Sequence, residues 1–293
     1  MLSAHPLLRT MVPLAFVLMW STGFIFTRMG IPYAEPLTFL WIRLLLAAVI
    51  ILIITRFIQV TWPRRWQDWG HNAVVGILIH GIYLGGVFIA LDRGVDTALT
   101  ALIVGLQPLL TVILAATWLA EKLSLQKLLG VLLGLAGISL IVVHKGISMS
   151  GFQQAGLWFC VGSLFGISIG TLYQKRFCQA VDLLPATFIH YAANGVFLGV
   201  LVWLFESAEI QWEGRFVFAL IWLIIVLSLG AVMLFLWLIR QGEASKVASL
   251  FYLVPPVVAI EAWWLFDEPV TWLTAVGTLL CVGGVALVQY ARA

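Results

Sequence analysis

The sequence predicts an all-α integral membrane protein with ten transmembrane helices arranged as two inverted five-helix repeats. Of its 293 residues, 62% are hydrophobic and 10% are charged, and the mean hydropathy is +1.08. Soluble domains carry about 25% charged residues, so this composition predicts a chain that lies largely in lipid. The apolar runs are longer than barrel strands and apolar on every side, which favours helices over a β-barrel.

Charged and proline-containing breaks divide the chain into segments near the length of about 20 residues that a spanning helix needs. The predicted spans are 10–30, 36–57, 70–91, 96–119, 125–144, 153–175, 183–205, 216–238, 244–266 and 271–291. The breaks are short and leave no room for a soluble domain. The first span is too long for the apolar core of a signal peptide and precedes no small-residue cleavage site, so we expect it to be retained.

The positive charges lie at span ends and predict the orientation. With the N-terminus inside, the eleven cytoplasmic residues are Arg9, Arg56, Arg64, Arg65, Lys122, Lys127, Lys175, Arg176, Arg240, Lys246 and Arg292. The four outer ones are Arg28, Arg93, Lys145 and Arg215. By the positive-inside rule, we expect a multi-pass protein of the inner membrane with both termini in the cytoplasm. The net charge of +3, without a basic stripe, does not indicate a nucleic-acid partner.

No cofactor or metal is expected from the sequence. Cys160, Cys178 and Cys281 are scattered and lack metal-ligand spacing, so neither a zinc site nor a disulfide framework is predicted. The chain also lacks the phosphate-binding motif G-x-x-x-x-G-K-[ST], which argues against transport driven by nucleotide hydrolysis. The energy for transport would then come from a gradient of protons, of sodium or of the substrate itself. The oligomeric state is left open.

The two halves of the chain align with a constant offset of 147 residues. This offset pairs Arg93 with Arg240, Pro108 with Pro255, Glu121 with Glu268, Gly130 with Gly277 and Gly137 with Gly284. We therefore expect repeats over 1–146 and 147–293, each with five spans. Because five is odd, the second repeat would enter the membrane from the opposite side. Inverted repeats are a recurring design of secondary transporters.

Short motifs in several spans suggest a family. They are Trp20-Ser21-Thr22-Gly23, Gly105-Leu106-Gln107-Pro108, Leu253-Val254-Pro255-Pro256, and Glu121 and Glu268 ahead of glycine-rich spans. With these motifs the chain resembles the EamA family of the drug/metabolite transporter superfamily. The resemblance implies a carrier that exports amino acids or other small metabolites. It also implies a central cavity between the first, third, fourth, sixth, eighth and ninth helices.

Polar and aromatic residues near the middle of the spans are candidates for lining that cavity. We locate the middle by counting half of each span at about 1.5 Å per residue. The candidate substrate-binding residues are Trp20, Ser21, Phe24, His80, Tyr83, Gln107, Ser163, Ser228 and Tyr252. Polar side chains at this depth must face protein or water, so we expect them to point inward together.

Some of these candidates have structural alternatives. His80 and Tyr83 are three residues apart on one helix face, so a single ligand can contact both. His80 could instead be a neutral imidazole held by a carbonyl or hydroxyl of another helix. Trp20 and Tyr252 could stack on a substrate or simply pack; with 14 Trp in the chain, only their depth favours binding.

Pro108, Pro255 and Pro256 interrupt the fourth and ninth predicted spans near the middle. Each proline lacks a backbone donor and deprives an earlier carbonyl of its helical partner. Within a membrane such breaks are tolerated where neighbours or a cavity satisfy the backbone. These prolines are therefore candidate hinges, or sites where freed carbonyls bind substrate. The alternative is a kink that only shapes packing.

Arg43 and Glu261 are intramembrane charges, both predicted about 9–10 Å on the outer side of the midplane. We expect them to pair, directly or through the cavity, and to close or line its outer vestibule. Alternatively, Arg43 extends towards the headgroups and Glu261 is a proton-coupling carboxylate. The offset places His190 opposite Arg43 and Leu114 opposite Glu261, so neither charge is duplicated.

The functional interpretation is a secondary transporter, an exporter of small metabolites such as amino acids or related compounds, working by alternating access. Its expected partners are the lipid bilayer, a small-molecule substrate and a coupling ion, either proton or sodium. The lack of a basic cluster at the midplane favours a small zwitterion or aromatic metabolite over a bulky polyanion. The alternative is an intramembrane transferase using His80, His190 and Glu261, although these form no recognised catalytic spacing.

Overall fold

The computed structural model describes residues 6–118, 124–146, 149–178, 181–231, 234 and 253–290. Within these ranges the chain is helical, and its β-type pairing is one isolated bridge between Ala34 and Ile210. Seven of the described helices are long and apolar enough to cross a membrane, and three further apolar helices are shorter. The all-α membrane prediction is thus confirmed, whereas the exact count of ten spans stays a prediction.

The helices are numbered α1 to α10 in chain order. Their bounds are α1 Pro6–Gly30, α2 Pro36–Phe57, α3 Trp66–Asp92, α4 in two pieces Thr97–Gly105 and Gln107–Trp118, α5 Leu125–Gly146, α6 Gly151–Phe177, α7 Leu183–Phe205, α8 Gly214–Ala231, α9 Val254–Phe266 and α10 Trp272–Gln289. α3 begins four residues before its predicted span, because hydropathy marks the part of a helix that suits lipid and not where its hydrogen bonds begin.

The offset that aligns the two halves of the sequence also relates their backbones. α3 contains a π-helical segment over Ile77–Tyr83, and α8 contains one over Leu223–Ala231. The offset of 147 carries Ile77 onto Ile224 and Tyr83 onto Gly230, so the first segment falls inside the second. π-Helical turns are rare in proteins, and those that occur often lie at functional sites. The two segments therefore mark α3 and α8 as candidate functional helices.

Helix contacts follow the same relation. α2 packs against its counterpart α7, and α5 packs against its counterpart α10. α3 packs against α6 and α7, while the equivalent α8 packs against α1 and α2. α9 lies between α1 and α4. The centre of the molecule is therefore built from α2, α3, α7 and α8, with α1 next to α8 and α9.

Glycines bring α5 and α10 into backbone contact. A methyl group on Gly137 would lie 2.5 Å from the Gly277 carbonyl oxygen, and one on Gly130 would lie 2.5 Å from the Gly284 carbonyl oxygen. The offset exchanges these two contacts, since it relates Gly130 to Gly277 and Gly137 to Gly284. Small residues at a helix interface allow this approach, and dispersion contacts then hold the helices together in lipid.

We predict that Gly137→Ala destabilises the protein by about 1–3 kcal/mol, because the added methyl group overpacks a closed helix interface. Gly162→Ala is the matched control, since a side chain there meets nothing within 4 Å. Its melting temperature should be unchanged or slightly raised, because alanine favours a helix over glycine. Melting of the detergent-solubilised protein, followed by tryptophan fluorescence, measures both variants. Equal melting temperatures for the two variants would contradict the packing argument.

Candidate substrate site

Arg43 places a positive charge in the interior of the helix bundle. Its side chain on α2 is only 6% exposed, and both Nε and Nη2 donate to Ser228 Oγ on α8 at 3.3 Å. The titratable groups Tyr191, Tyr83 and His80 lie near the guanidinium, and none of the described carboxylates pairs with it. A charge at membrane depth is costly and usually functional, so Arg43 marks the candidate site.

Aromatic rings surround the guanidinium. The His80 ring meets Tyr191 edge-on, with centroids 4.9 Å apart, and lies 5.8 Å from the ring of His190. Tyr191 Oη donates to the backbone oxygen of Ser228 at 3.4 Å. Tyr83, one turn after His80, is buried and lies near Arg43. The structure thus brings together four predicted residues from both halves of the chain, namely Arg43, His80, Tyr83 and Ser228.

The π-helical segments contain three of these residues. His80 and Tyr83 lie within Ile77–Tyr83, and Ser228 lies within Leu223–Ala231. A π-turn shifts the hydrogen-bond partner by one residue, so it rotates the following side chains relative to an α-helix. Among the described atoms, His80 Nδ1 is buried and has no hydrogen-bond partner. Nδ1 is therefore not held by a described carbonyl or hydroxyl, and the role of His80 stays a prediction.

The polar patch on α7 was not predicted from the sequence. His190 Nε2 contacts Asn72 Oδ1 at 3.2 Å, and Asn194 Nδ2 donates to the His190 carbonyl oxygen at 2.9 Å. Asn194 Oδ1 is buried without a partner among the described atoms. A signal was available, because the offset maps Arg43 onto His190 and Tyr191 follows it directly. From the sequence, His190 is a candidate only in the transferase alternative.

A second polar contact joins α1 to α9. Ser21 Oγ lies 2.9 Å from Glu261 Oε1 and also 2.9 Å from the carbonyl oxygen of Leu18. Ser21 is fully buried, and Glu261 Oε2 is a buried atom with no partner among the described atoms. The contact therefore holds a carboxyl group between two helices far apart in sequence.

The expected direct pair between Arg43 and Glu261 is wrong, because each side chain bonds a different serine. Arg43 faces α8 from α2, whereas Glu261 faces α1 from α9. Residue counting gives the depth of a side chain but not the direction in which it points around the helix axis. Two charges at similar depth can therefore lie in different helix interfaces.

The remaining α1 candidates lie in packed surroundings. Trp20 is half-buried and its ring lies 5.4 Å from that of Phe16, and Phe24 is buried in the same apolar cluster. Gly23 gives space to a neighbouring helix, since a side chain there would meet Leu227 of α8 at 3.3 Å. Substrate contact by Trp20 and Phe24 stays a prediction.

Two other candidates bind neighbouring helices and lie apart from the Arg43 cluster. Gln107 Nε2 donates to Thr171 Oγ1 at 3.2 Å, linking α4 to α6. Ser163 donates to the Phe159 carbonyl oxygen at 2.9 Å and packs against Gly86 of α3. Hydroxyls often satisfy themselves on the preceding helical turn in this way. Neither contact joins these side chains to Arg43.

Pro108 breaks α4, as expected. Because Pro108 lacks an amide hydrogen, α4 is interrupted at Leu106, whose carbonyl oxygen accepts from Leu109 N at 2.9 Å. The break packs against α9, since a side chain at Gly105 would lie 2.9 Å from Pro255 Cγ. The two proline sites related by the offset thus lie close together.

Pro255 and Pro256 occupy the first turn of the described α9, which begins at Val254. Proline is tolerated there because the first amide groups of a helix have no helical acceptor. Tyr252, the remaining predicted site residue, lies outside the described residues. The roles of the prolines as hinges remain predictions.

An open crevice of about 1000 Å³ lies at one end of the bundle. Its lining includes Arg28 at the end of α1, Asp92 at the end of α3, Arg215 at the start of α8 and Leu265 of α9. Arg28 Nη1 donates to the Leu91 carbonyl oxygen at 2.8 Å, which anchors α1 to α3 at this rim.

The geometry does not assemble the group required by the transferase alternative. The rings of His80 and His190 lie 5.8 Å apart, but neither histidine bonds Glu261, whose carboxyl group contacts Ser21. An acid–base triad needs its members within hydrogen-bond reach of one another or of one substrate atom.

Comparison with known proteins identifies the family. The chain matches the EamA-like transporter family over residues 10–143 and again over 154–290. It is 30% identical to YvbV, an uncharacterized transporter of Bacillus subtilis, over 97% of this chain and 92% of that protein. It is 24% identical to YedA, an uncharacterized inner membrane transporter of Escherichia coli, over 84% of this chain and 78% of that protein.

Two more distant likenesses agree. A WAT1-related chloroplastic protein of Arabidopsis thaliana is 22% identical over 92% of this chain and 67% of its own length. A protein of known crystal structure, 19% identical, shares the fold with a TM-score of 0.66 over 95% of both chains. With the family matched across both halves, the chain belongs to the EamA-like transporter family and is a membrane transporter rather than an enzyme.

Proposed function

We propose that the protein is a secondary transporter that exports amino acids or related small metabolites across the inner membrane by alternating access. The single observation that carries this proposal is Arg43, a buried cation that bonds one serine hydroxyl and no carboxylate among the described residues. Burying an unpaired charge costs several kcal/mol, so a protein keeps one where a ligand supplies the opposite charge. The ligand group that fits is a carboxylate.

The chemistry of the cluster favours a small monocarboxylate or zwitterion. A guanidinium presents its N–H groups in a planar fork that matches the two oxygens of a carboxylate. Both contacts of Arg43 to Ser228 are long, at 3.3 Å, so we expect a stronger, charge-assisted bond to a carboxylate to replace them. His80, Tyr83 and Tyr191 supply aromatic surface for an apolar side chain. A phosphate-bearing polyanion would need more positive charge than this cluster holds.

Alternating access follows from the arrangement of the two halves. We take 1–146 and 147–293 to be inverted repeats, with the Arg43 cluster at their junction between α2, α3, α7 and α8. Inverted repeats expose one central site to either side of a membrane in turn. The excess of positive charges on one set of loops supports both termini in the cytoplasm. The inner-membrane relative in Escherichia coli supports the location.

We predict that amino acids raise the melting temperature of the purified protein, whereas the matching amino-acid amides do not. The two ligands differ at the carboxylate, the group assigned to Arg43. A ligand at a hundred times its dissociation constant stabilises the folded state by about 2.7 kcal/mol, which a thermal-shift screen detects. A hit is then assayed by counterflow of the labelled compound in proteoliposomes. Equal shifts by acid and amide, or triose phosphates or nucleotide sugars as the best substrates, would contradict the proposal.

We further predict that Arg43→Met keeps or raises the melting temperature but reduces counterflow at least ten-fold. The substitution removes a buried charge that lacks a described counter-ion, so stability should not fall. It also removes the partner of the carboxylate, and losing one buried charged contact costs about 2–5 kcal/mol of affinity. Arg64→Met, at an exposed position away from the crevice, is the control and should leave transport intact. A marked loss of stability in Arg43→Met would instead assign Arg43 a structural role.

A further inference from the structure

The contact between Ser21 and Glu261 has one proton too few if Glu261 is ionised. Ser21 Oγ lies 2.9 Å from both the Leu18 carbonyl oxygen and Glu261 Oε1, and both of these atoms accept. A hydroxyl group has one proton to donate, together with lone pairs that accept. If Ser21 donates to Leu18, Glu261 must carry a proton and donate to Ser21. A neutral carboxylic acid satisfies both short contacts.

The surroundings of Glu261 also favour the neutral acid. α9 packs against α1 and α4. The described charged side chain on α1 is Arg28, which bonds the Leu91 carbonyl oxygen, and neither piece of α4 contains a titratable residue. The charged residues next to α9 in the sequence are Asp267 and Glu268, which follow its C-terminal end. The Glu268 carboxylate accepts a hydrogen bond from Thr97 N at 2.8 Å.

No described cation therefore faces Glu261, and its buried Oε2 atom has no partner among the described atoms. A carboxylate there would have neither water nor a counter-ion for one of its oxygens, which costs several kcal/mol. The protonated group avoids most of this cost because it is neutral, and burying an unpaired carbonyl oxygen costs less than burying an unpaired charge.

We propose that Glu261 is the proton-carrying residue of this transporter, protonated while α1 and α9 are in contact and deprotonated when they separate. The step is acid dissociation: the carboxyl O–H bond breaks, the electron pair stays on Glu261, and the proton passes to water. The open crevice offers a route for this proton, because Leu265 in its lining is one helical turn beyond Glu261. The inference rests on the proposed transport function.

α1 provides the mechanical link between the proton and the substrate. Ser21 contacts Glu261, while Gly23, two residues further on, contacts Leu227 beside Ser228, the partner of Arg43. Residues two apart point to nearly opposite sides of a helix, so α1 lies between the two sites. A shift of α1 that exposes Glu261 therefore changes the packing next to Arg43. We expect exchange, with a proton moving inward as the substrate moves outward.

The experiment uses the whole protein reconstituted in proteoliposomes, with the membrane potential clamped at zero. The probe is a radiolabelled mixture of the proteinogenic amino acids. Counterflow is measured first, without a pH gradient. A gradient of one pH unit, acid inside, is then imposed and uptake is followed. For one-for-one exchange this gradient supports up to about ten-fold accumulation, because one pH unit and a ten-fold concentration ratio are equal in free energy. Collapse of the gradient by nigericin should abolish the accumulation.

Glu261→Gln is the test variant. Its amide nitrogen can still donate to Ser21 Oγ, so the contact between α1 and α9 is kept without a titratable proton. We expect no accumulation driven by the pH gradient, because the amide has no proton to release. Glu209→Gln, at an exposed carboxylate, is the matched control and should retain both activities. A melting temperature confirms that each variant is folded.

The outcomes separate the two proposals. Absence of counterflow in the unsubstituted protein contradicts the proposed function. Counterflow without any response to the pH gradient, or gradient-driven uptake that survives in Glu261→Gln, overturns the role of Glu261. Infrared spectra give a readout that needs no substrate: a protonated carboxylic-acid carbonyl band should be present in the unsubstituted protein and in Glu209→Gln, and lost in Glu261→Gln. Retention of that band in Glu261→Gln would also overturn the assignment.

Discussion

The structure depends on one constraint, that polar groups within a bilayer must find their partners inside the protein. Most hydroxyls on the helices obey it locally: Thr27 donates to the Gly23 carbonyl oxygen at 2.7 Å, and Thr22 donates to that of Met19 at 2.7 Å. Trp222 Nε1 in turn donates to Thr22 Oγ1 at 3.0 Å, which ties α8 to α1. Against this background, two groups are conspicuous: a buried guanidinium without a described counter-ion, and a buried carboxyl oxygen without a described partner.

These two ionisable groups, Arg43 and Glu261, lie on either side of α1, and the duplication does not repeat them. The position equivalent to Arg43 holds His190, and the position equivalent to Glu261 holds Leu114. A symmetric scaffold thus carries an asymmetric set of charges. In the proposed mechanism, Arg43 binds the substrate and Glu261 carries the proton. α1 contacts Glu261 through Ser21 and packs through Gly23 against Leu227, which is next to the partner of Arg43. This division allows one rearrangement to change both sites.

The backbone irregularities, unlike the charges, occur in both halves. π-Helical segments occur in α3 and α8 at positions related by the offset, and prolines occur at related positions in α4 and α9. Such places have weaker or missing helical hydrogen bonds, so they bend at lower cost than regular helix. The two ionisable groups each occur in only one half of the chain. The π-helical segments and the prolines occur in both halves, which favours a motion that both halves can make.

The sequence by itself determined the helical membrane class, the approximate spans, the offset between the halves and the break at Pro108. These follow from hydropathy, from chain length against bilayer thickness and from the missing amide of proline, all of which are local properties. It also identified Arg43, His80, Tyr83 and Ser228 individually as polar or aromatic residues at membrane depth. It did not determine which of them meet.

Only the tertiary structure decided the partners. It paired Arg43 with Ser228 and Glu261 with Ser21, added Tyr191 to the cluster, and left Ser163 and Gln107 in other helix contacts. The reason is geometric, because counting along a helix gives depth, whereas the direction of a side chain depends on the rotation of the helix and on its neighbours. The π-helical segments change that rotation within α3 and α8, and no simple periodicity in the sequence marks them.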